Sequence, residues 1–133
     1  INSHRHNAEI QQELSYVKKN IEFTFTPHIL PMFRGILSTI YLNYKSKANL
    51  NKIYNELRRF YMNHKFIKIL KNNTLSTNDV INTNNCQISV CKSKDKKKLI
   101  ILSSIDNLIK GGAGQAVQNL NLIFNFKLNE GLK

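Results

Sequence analysis

Three glycines within four positions, Gly111, Gly112 and Gly114, stand where the apolar run at residues 99–105 passes into a segment of helical spacing. A chain turns so abruptly from strand to helix where side chains are absent. The junction, DNLIKGGAGQAVQN at residues 106–119, also removes the Cβ atoms that would keep a phosphate from the backbone. The first amides of the helix that follows carry unpaired N–H groups and the positive end of its dipole, so an anion could sit there. The plain alternative is that Gly111 and Gly112 only make the turn and Gly114 only lets the helix pack closely. A short glycine cluster leaves both open.

At 133 residues the chain is one domain's worth of polypeptide, long enough for a core but short for a two-domain cofactor enzyme. It begins at Ile1 with no charged-then-apolar leader, and the expectation is a piece of something longer. The formal net charge of +12 invites a nucleic-acid reading. Its distribution argues otherwise: only Arg5, Arg34, Arg58 and Arg59 are arginine, and the densest run, KSKDKKK at residues 92–98, sits between two strand-like segments as a solvated turn. No nucleic-acid partner is expected. No membrane partner is expected either, because no apolar run approaches the roughly 20 residues needed to span a bilayer. Cys86 and Cys91 fall on opposite faces of one β-like run, which speaks against a bridge between them, and neither has metal or redox spacing. A reducing, cytoplasmic setting follows.

Hydrophobic spacing divides the chain into alternating elements. Residues 7–19 read as a helix, with Ile10, Leu14 and Val17 in one stripe and Asn7 as a cap. Ile21, Phe23 and Phe25 alternate with Glu22, Thr24 and Thr26 as a strand that Pro27 ends. PHILPMFRG at residues 27–35 is irregular, and residues 36–44 form a long strand. Leu50, Ile53, Leu57 and Phe60 stripe a second helix, and residues 66–70 are a short strand. Residues 72–85 are turn-like, with at most a brief strand at Val80 and Ile81. Residues 86–92 and 99–105 pair antiparallel across the lysine turn. A closing helix carries Ala113, Val117, Leu120 and Phe124 on one side. This order predicts an α+β fold with a mixed or antiparallel sheet covered by helices.

Three polar patches could carry chemistry. In HRHNAEI at residues 4–10, His4 and His6 project to one side if extended, and Glu9 in the first turn of the next helix could join them. Two histidines and a carboxylate can hold zinc or iron, one histidine can act as an acid/base oriented by the carboxylate, or all three are surface groups. In the proline loop, Arg34 offers a planar fork to an anion or merely caps a strand, and His28 reads as structural. In the glycine junction, Gln115, Gln118 and Asn119 lie a turn apart and could hold a polar cofactor ring.

Taken together, HRHNAEI, FTPHILPMFRGILSTIY and IDNLIKGGAGQAVQNLNLIF resemble, in order and spacing, the C-terminal part of the N-acetyl-γ-glutamyl-phosphate reductases. The resemblance implies an NADPH-dependent reductase of arginine biosynthesis that converts N-acetyl-γ-glutamyl phosphate to N-acetylglutamate 5-semialdehyde and phosphate. It implies a semialdehyde-dehydrogenase-like fold in which residues 1–109 belong to the catalytic and oligomerisation domain. Residues 110–133 would form a helix packing on a missing NADP-binding Rossmann domain. The family's catalytic cysteine lies upstream in a Gly-Cys-Tyr context and its dinucleotide-binding glycines further upstream still, and Cys86 and Cys91 match neither. Carried over by motif, His4 is the general base, His6, Glu9 and Arg34 contact substrate, and Gly112, Gly114 and Asn119 border NADP, with no metal. Asn7-Ala8 stands where the family has threonine-proline, and Phe33 and Gly112 replace commoner small residues, which touches loop detail. The expected partners are the substrate, an N-terminal part bearing the cysteine, and further copies of the chain. Two rivals remain: a non-catalytic dimerisation remnant, and a metal-dependent hydrolase using His4, His6 and Glu9.

Overall fold

The protein is described by a computed structural model that covers residues 4–43 and 49–133. It falls into two compact units, residues 1–32 and 33–133. The first holds α1, His6–Val17. Asn7 lies inside its first turn rather than at the cap, with its amide donating to the His4 carbonyl at 2.9 Å. The expected stripe is weakly used, since Ile10 and Leu14 are half-buried and Val17 is 83 % exposed. After a left-handed Asn20, residues 21–26 keep the predicted alternation, Ile21, Phe23 and Phe25 half-buried and their neighbours exposed. They find no ladder partner among the described residues, so the expected strand is extended chain only. Alternation reports two faces, whereas a strand also needs a neighbour to take its N–H groups.

The second unit is built on a four-stranded sheet of β1 (Ile36–Asn43), β2 (Ile67–Lys71), β3 (Cys86–Lys92) and β4 (Lys98–Ile105), in spatial order β1-β4-β3-β2. β1 and β3 run antiparallel to β4, and β2 runs parallel to β3. The sheet is therefore mixed, one of the two arrangements that the residue pattern allowed. Tyr44, assigned to β1 from sequence, lies outside the described residues.

Each face of the sheet has its own cover. The helix α2, Leu50–Phe60, starts at Asn49, whose side chain accepts from the Lys52 amide, and it packs on β2 and β3. There Leu50, Val90 and Leu99 form the buried core, with Ile53, Leu57 and Ile101 against it. Phe60, expected on the same stripe, is 70 % exposed and stacks on His64, because the helix ends there. Over the opposite face runs the β2–β3 crossover: the Asn73 amide donates to Ser89 Oγ and Ser104 Oγ donates to the Ser76 carbonyl. Val80 is wholly buried there, after a single 3-10 turn at Thr77–Asp79, where sequence allowed a brief strand.

The closing helix α3, Gly114–Ile123, inverts the usual rule. Its buried residues are Gly114 and Asn121, with Gln118 half-buried, while Val117, Leu120 and Phe124 of the apolar stripe are exposed. Asn121 sits inside because its Nδ2 donates to the Leu128 and Glu130 carbonyls, tying the C-terminal tail to the helix. Among the described residues no helix is long and apolar enough to cross a membrane.

Candidate active site

One carboxylate organises the polar end of the second unit. Asp106 follows β4 directly and is 0 % exposed, a costly place for a charge unless donors surround it. They do. Its Oδ1 accepts from the Leu108 amide at 2.8 Å and the Ile109 amide at 3.0 Å, and its Oδ2 accepts from the Asn82 amide at 2.8 Å. Arg34 Nε lies between the two oxygens, 3.0 Å from Oδ1 and 2.9 Å from Oδ2. Burial pushes the Asp106 carboxyl up, but the amides of Asn82, Leu108 and Ile109 and the arginine outweigh it and hold the group below the ordinary aspartate value.

A second clasp lies beside the first. Asn107 Oδ1 accepts from the Gly35 amide at 2.7 Å. Gly35 has φ +105, and a Cβ there would lie 2.6 Å from Thr77 Cβ, so only glycine fits. Arg34, with a side chain 18 % exposed, also donates from Nη1 to Asn82 Oδ1 at 3.1 Å. Of the five N–H donors a guanidinium carries, these contacts use two. The remainder have no partner among the described residues.

The glycine junction is a wide π-type turn, Ile109–Ala113, leading into α3. Its amides are largely spent inside the turn: Gly111 N donates to the Asp106 carbonyl, Ala113 N to that of Leu108, and Gly114 N to those of Ile109 and Gly112. The free amides that would cradle an anion are thus mostly occupied. Gly112 is exposed, whereas Gly114 is buried, and a Cβ on it would meet Ile109 and lie 2.6 Å from Asn84 Oδ1. Asn119 is exposed and its Oδ1 accepts from Gln115 Nε2 at 2.9 Å. Gln118 turns inward instead, its Oε1 accepting from Asn84 Nδ2 at 2.8 Å and Lys110 Nζ at 2.9 Å. Burial lowers Lys110 below the ordinary lysine value and pushes the nearby Cys86 thiol up, the reverse of what a nucleophile needs.

The first unit carries the histidine patch. His4 Nδ1 accepts from the His6 amide at 3.2 Å, so a neutral His4 ring bears its proton on Nε2. The two rings meet edge-on at 4.7 Å, and His4 meets Phe25 edge-on at 5.7 Å. Glu9 Oε2 lies 3.9 Å from His6 Nε2, an exposed and loose pair. Among the described residues no group of three His, Cys, Asp or Glu side chains converges as metal ligands would. His28, read as structural, is exposed.

Residues 1–107 match the sequence profile described as semialdehyde dehydrogenase, dimerisation domain. The chain belongs to this family. Curated relatives agree: the chain is 48% identical over 134 residues to the N-acetyl-gamma-glutamyl-phosphate reductase of Clostridium botulinum (strain Eklund 17B / Type B), covering 99% of this chain and 39% of that protein. To the protein of the same name from Campylobacter jejuni subsp. doylei it is 47% identical, covering 98% of this chain and 39% of that protein. The chain thus spans about two fifths of the length of these relatives. Among solved structures, aspartate semialdehyde dehydrogenase II from Vibrio cholerae, complexed with ASA, superposes with a TM-score of 0.57 at 16% identity, over 72% of this chain and 29% of that one. The Francisella tularensis aspartate semialdehyde dehydrogenase gives 0.54 at 18% identity, over 71% and 27%. At these identities the likeness is one of fold.

Within this semialdehyde-dehydrogenase domain, Asp106 and Asn107 open the glycine-junction motif with no role that their spacing assigns, and Asn82 and Asn84 stand in no motif. A signal existed for Asp106: an aspartate straight after a strand, followed by a helical segment, is a capping residue, and it caps the turn through Leu108 and Ile109. No local signal pairs it with Arg34, 72 residues away.

Proposed function

We propose that this chain is the acid–base and substrate-anion part of an NADPH-dependent N-acetyl-γ-glutamyl-phosphate reductase, a cytoplasmic enzyme of arginine biosynthesis. The observation that carries the reading is 48% identity running through 99% of the chain. The reaction makes N-acetylglutamate 5-semialdehyde: a cysteine thiolate attacks the acyl phosphate, phosphate leaves, and the thioester is reduced to the aldehyde, freeing the thiol. That cysteine and the dinucleotide cradle come from an N-terminal part, which the two free cysteines here do not replace.

Each residue then has a task. His4 serves as acid/base, taking the thiol proton and returning it; since its Nε2 carries the proton of the neutral ring, the Nδ1 lone pair must leave the His6 amide to accept the incoming one. His6 and Glu9 line the substrate beside it. Arg34 takes an oxyanion of the substrate on the donors that Asp106 and Asn82 leave over. NADP fits the exposed side of α3: Gly112 is bare of side chain and exposed, and the Gln115–Asn119 amide pair keeps a free donor and a free acceptor for a polar ring. Gly114, buried against Asn84, serves that edge by letting the helix sit close. When bound, the cofactor supplies the hydride.

Two exposed apolar surfaces suit the expected partners. The Val117, Leu120 and Phe124 stripe of α3 offers a seat for the N-terminal part, and β1, with Ile36, Leu37, Ile40, Tyr41 and Leu42 exposed, offers one for a second copy. The same β1 surface and the family's description favour the second reading, a dimerisation module without catalysis.

Reconstitution separates the two. The purified chain mixed with an N-terminal fragment is expected to reduce NADP from the semialdehyde in a phosphate-dependent assay, while the chain alone is inactive. His4→Asn is expected to lower the rate by about 10²–10⁴-fold, the usual weight of a positioned acid/base. An assembled pair indifferent to this substitution would leave the dimerisation reading standing.

A further inference from the structure

The guanidinium of Arg34 is held in a way that does not use it up. A carboxylate facing the end of the fork would take two parallel N–H bonds and leave little for a ligand. Asp106 instead meets Nε, and Asn82 Oδ1 meets Nη1. The same two residues are locked to each other, because the Asn82 amide donates to Asp106 Oδ2 at 2.8 Å. Asn82 reaches this pose in a left-handed conformation, φ 62, which asparagine tolerates better than most side chains. Asp106 in turn is fixed by the Leu108 and Ile109 amides at the mouth of the glycine turn.

We propose that Asp106 and Asn82 are positioning residues that aim Arg34 at an incoming oxyanion and tie its pose to the Ile109–Ala113 turn. The proposal rests on the reading of Arg34 as the substrate-anion group and adds what makes it one. A lone arginine has four side-chain torsions to freeze before it can bind, and here protein contacts freeze them beforehand. The oxyanion is a phosphoryl group or a carboxylate, and either presents a pair of oxygens to guanidinium N–H donors.

The test is a titration of the whole chain, followed by 15N NMR at Arg34 Nε and at the Leu108 and Ile109 amides, with inorganic phosphate in one arm and acetate in the other. The wild type is expected to shift at all three positions with one dissociation constant, and the stronger arm names the group Arg34 takes. Asn82→Gly keeps the left-handed backbone and the amide on Asp106 but removes the acceptor from Nη1. It is expected to weaken binding about tenfold, the weight of one charge-assisted hydrogen bond, with the melting temperature held. Asp106→Asn keeps an acceptor for Leu108 and Ile109, loses the charge, and is expected to weaken binding at least as much. Binding by Arg34→Lys equal to wild type, or no wild-type shift in either arm, overturns the anion reading itself. If Arg34→Lys weakens binding while Asn82→Gly and Asp106→Asn do not, the positioning role alone is overturned. Loss of melting temperature at unchanged affinity in the two variants assigns both residues to stability and overturns it equally.

Discussion

Two charged regions of this molecule, around Asp106 and around His4, are built on opposite principles. Around Asp106 every group is over-determined: a buried carboxylate receives Arg34 Nε and three backbone amides, and the neighbouring Asn107 clamps Gly35. Around His4 little is fixed: an exposed ring held by one amide, an edge-on contact with His6, and a carboxylate 3.9 Å from His6. Buried polar groups need complete satisfaction, whereas exposed ones exchange their partners for water at small cost. Binding and orienting an anion call for the first kind of site. In the proposed function proton transfer falls to the second, a ring that a reacting partner completes on arrival.

The contrast is easiest to break at its strongest point. Asp106→Ala strands a buried guanidinium nitrogen and three amides, and is expected to cost about 3–5 kcal/mol of unfolding free energy in urea titration. A loss under ~1 kcal/mol would show that water replaces the carboxylate freely and that the region is not over-determined. Gly35→Ala tests the adjoining clasp through strain alone, since a Cβ at φ +105 runs into Thr77. A loss of about 1–3 kcal/mol is expected in the same titration.

Acid sharpens the comparison with a sign. The folded state holds the Asp106 carboxyl below its unfolded value of about 3.9. Its contribution is therefore complete above that unfolded value and is lost as pH falls through the lower folded one. Urea midpoints measured between about pH 2 and 6 should fall on the acid side, and Asp106→Asn should flatten that limb. An unchanged slope in the variant would move the acid sensitivity to other carboxylates. The smallest effect belongs to the histidine region, where Glu9→Gln is expected to move stability by less than about 0.5 kcal/mol at any salt concentration. A larger shift would mean the patch is structural, contrary to its open geometry.

Much of the architecture was readable in advance because it is local. Period-two runs placed β3 and β4 and their antiparallel pairing, and the Leu50, Ile53 and Leu57 spacing placed α2. What failed needed a distant partner. Residues 21–26 alternate like a strand yet have no ladder, and the Val117, Leu120 and Phe124 stripe of α3 is exposed while Gln118 and Asn121 turn in. Spacing tells which side chains share a face, and it is silent about what that face meets. The two polar patches divided in the same way: His4, His6 and Glu9 are neighbours in sequence and in space, but Arg34 gained its setting from Asp106 across 72 residues.

Sequence by itself determined the family, the run of strands and helices, and the residue types available for proton transfer and anion capture, since each depends on short-range pattern or on identity along the chain. Tertiary structure alone decided that most of the junction's amides are spent within their own turn, that Gly114 is bare to admit Asn84, and that one buried aspartate sets the pose of Arg34. The reason is physical: a buried charge must collect its donors from wherever the fold brings backbone near, and no local pattern encodes that meeting.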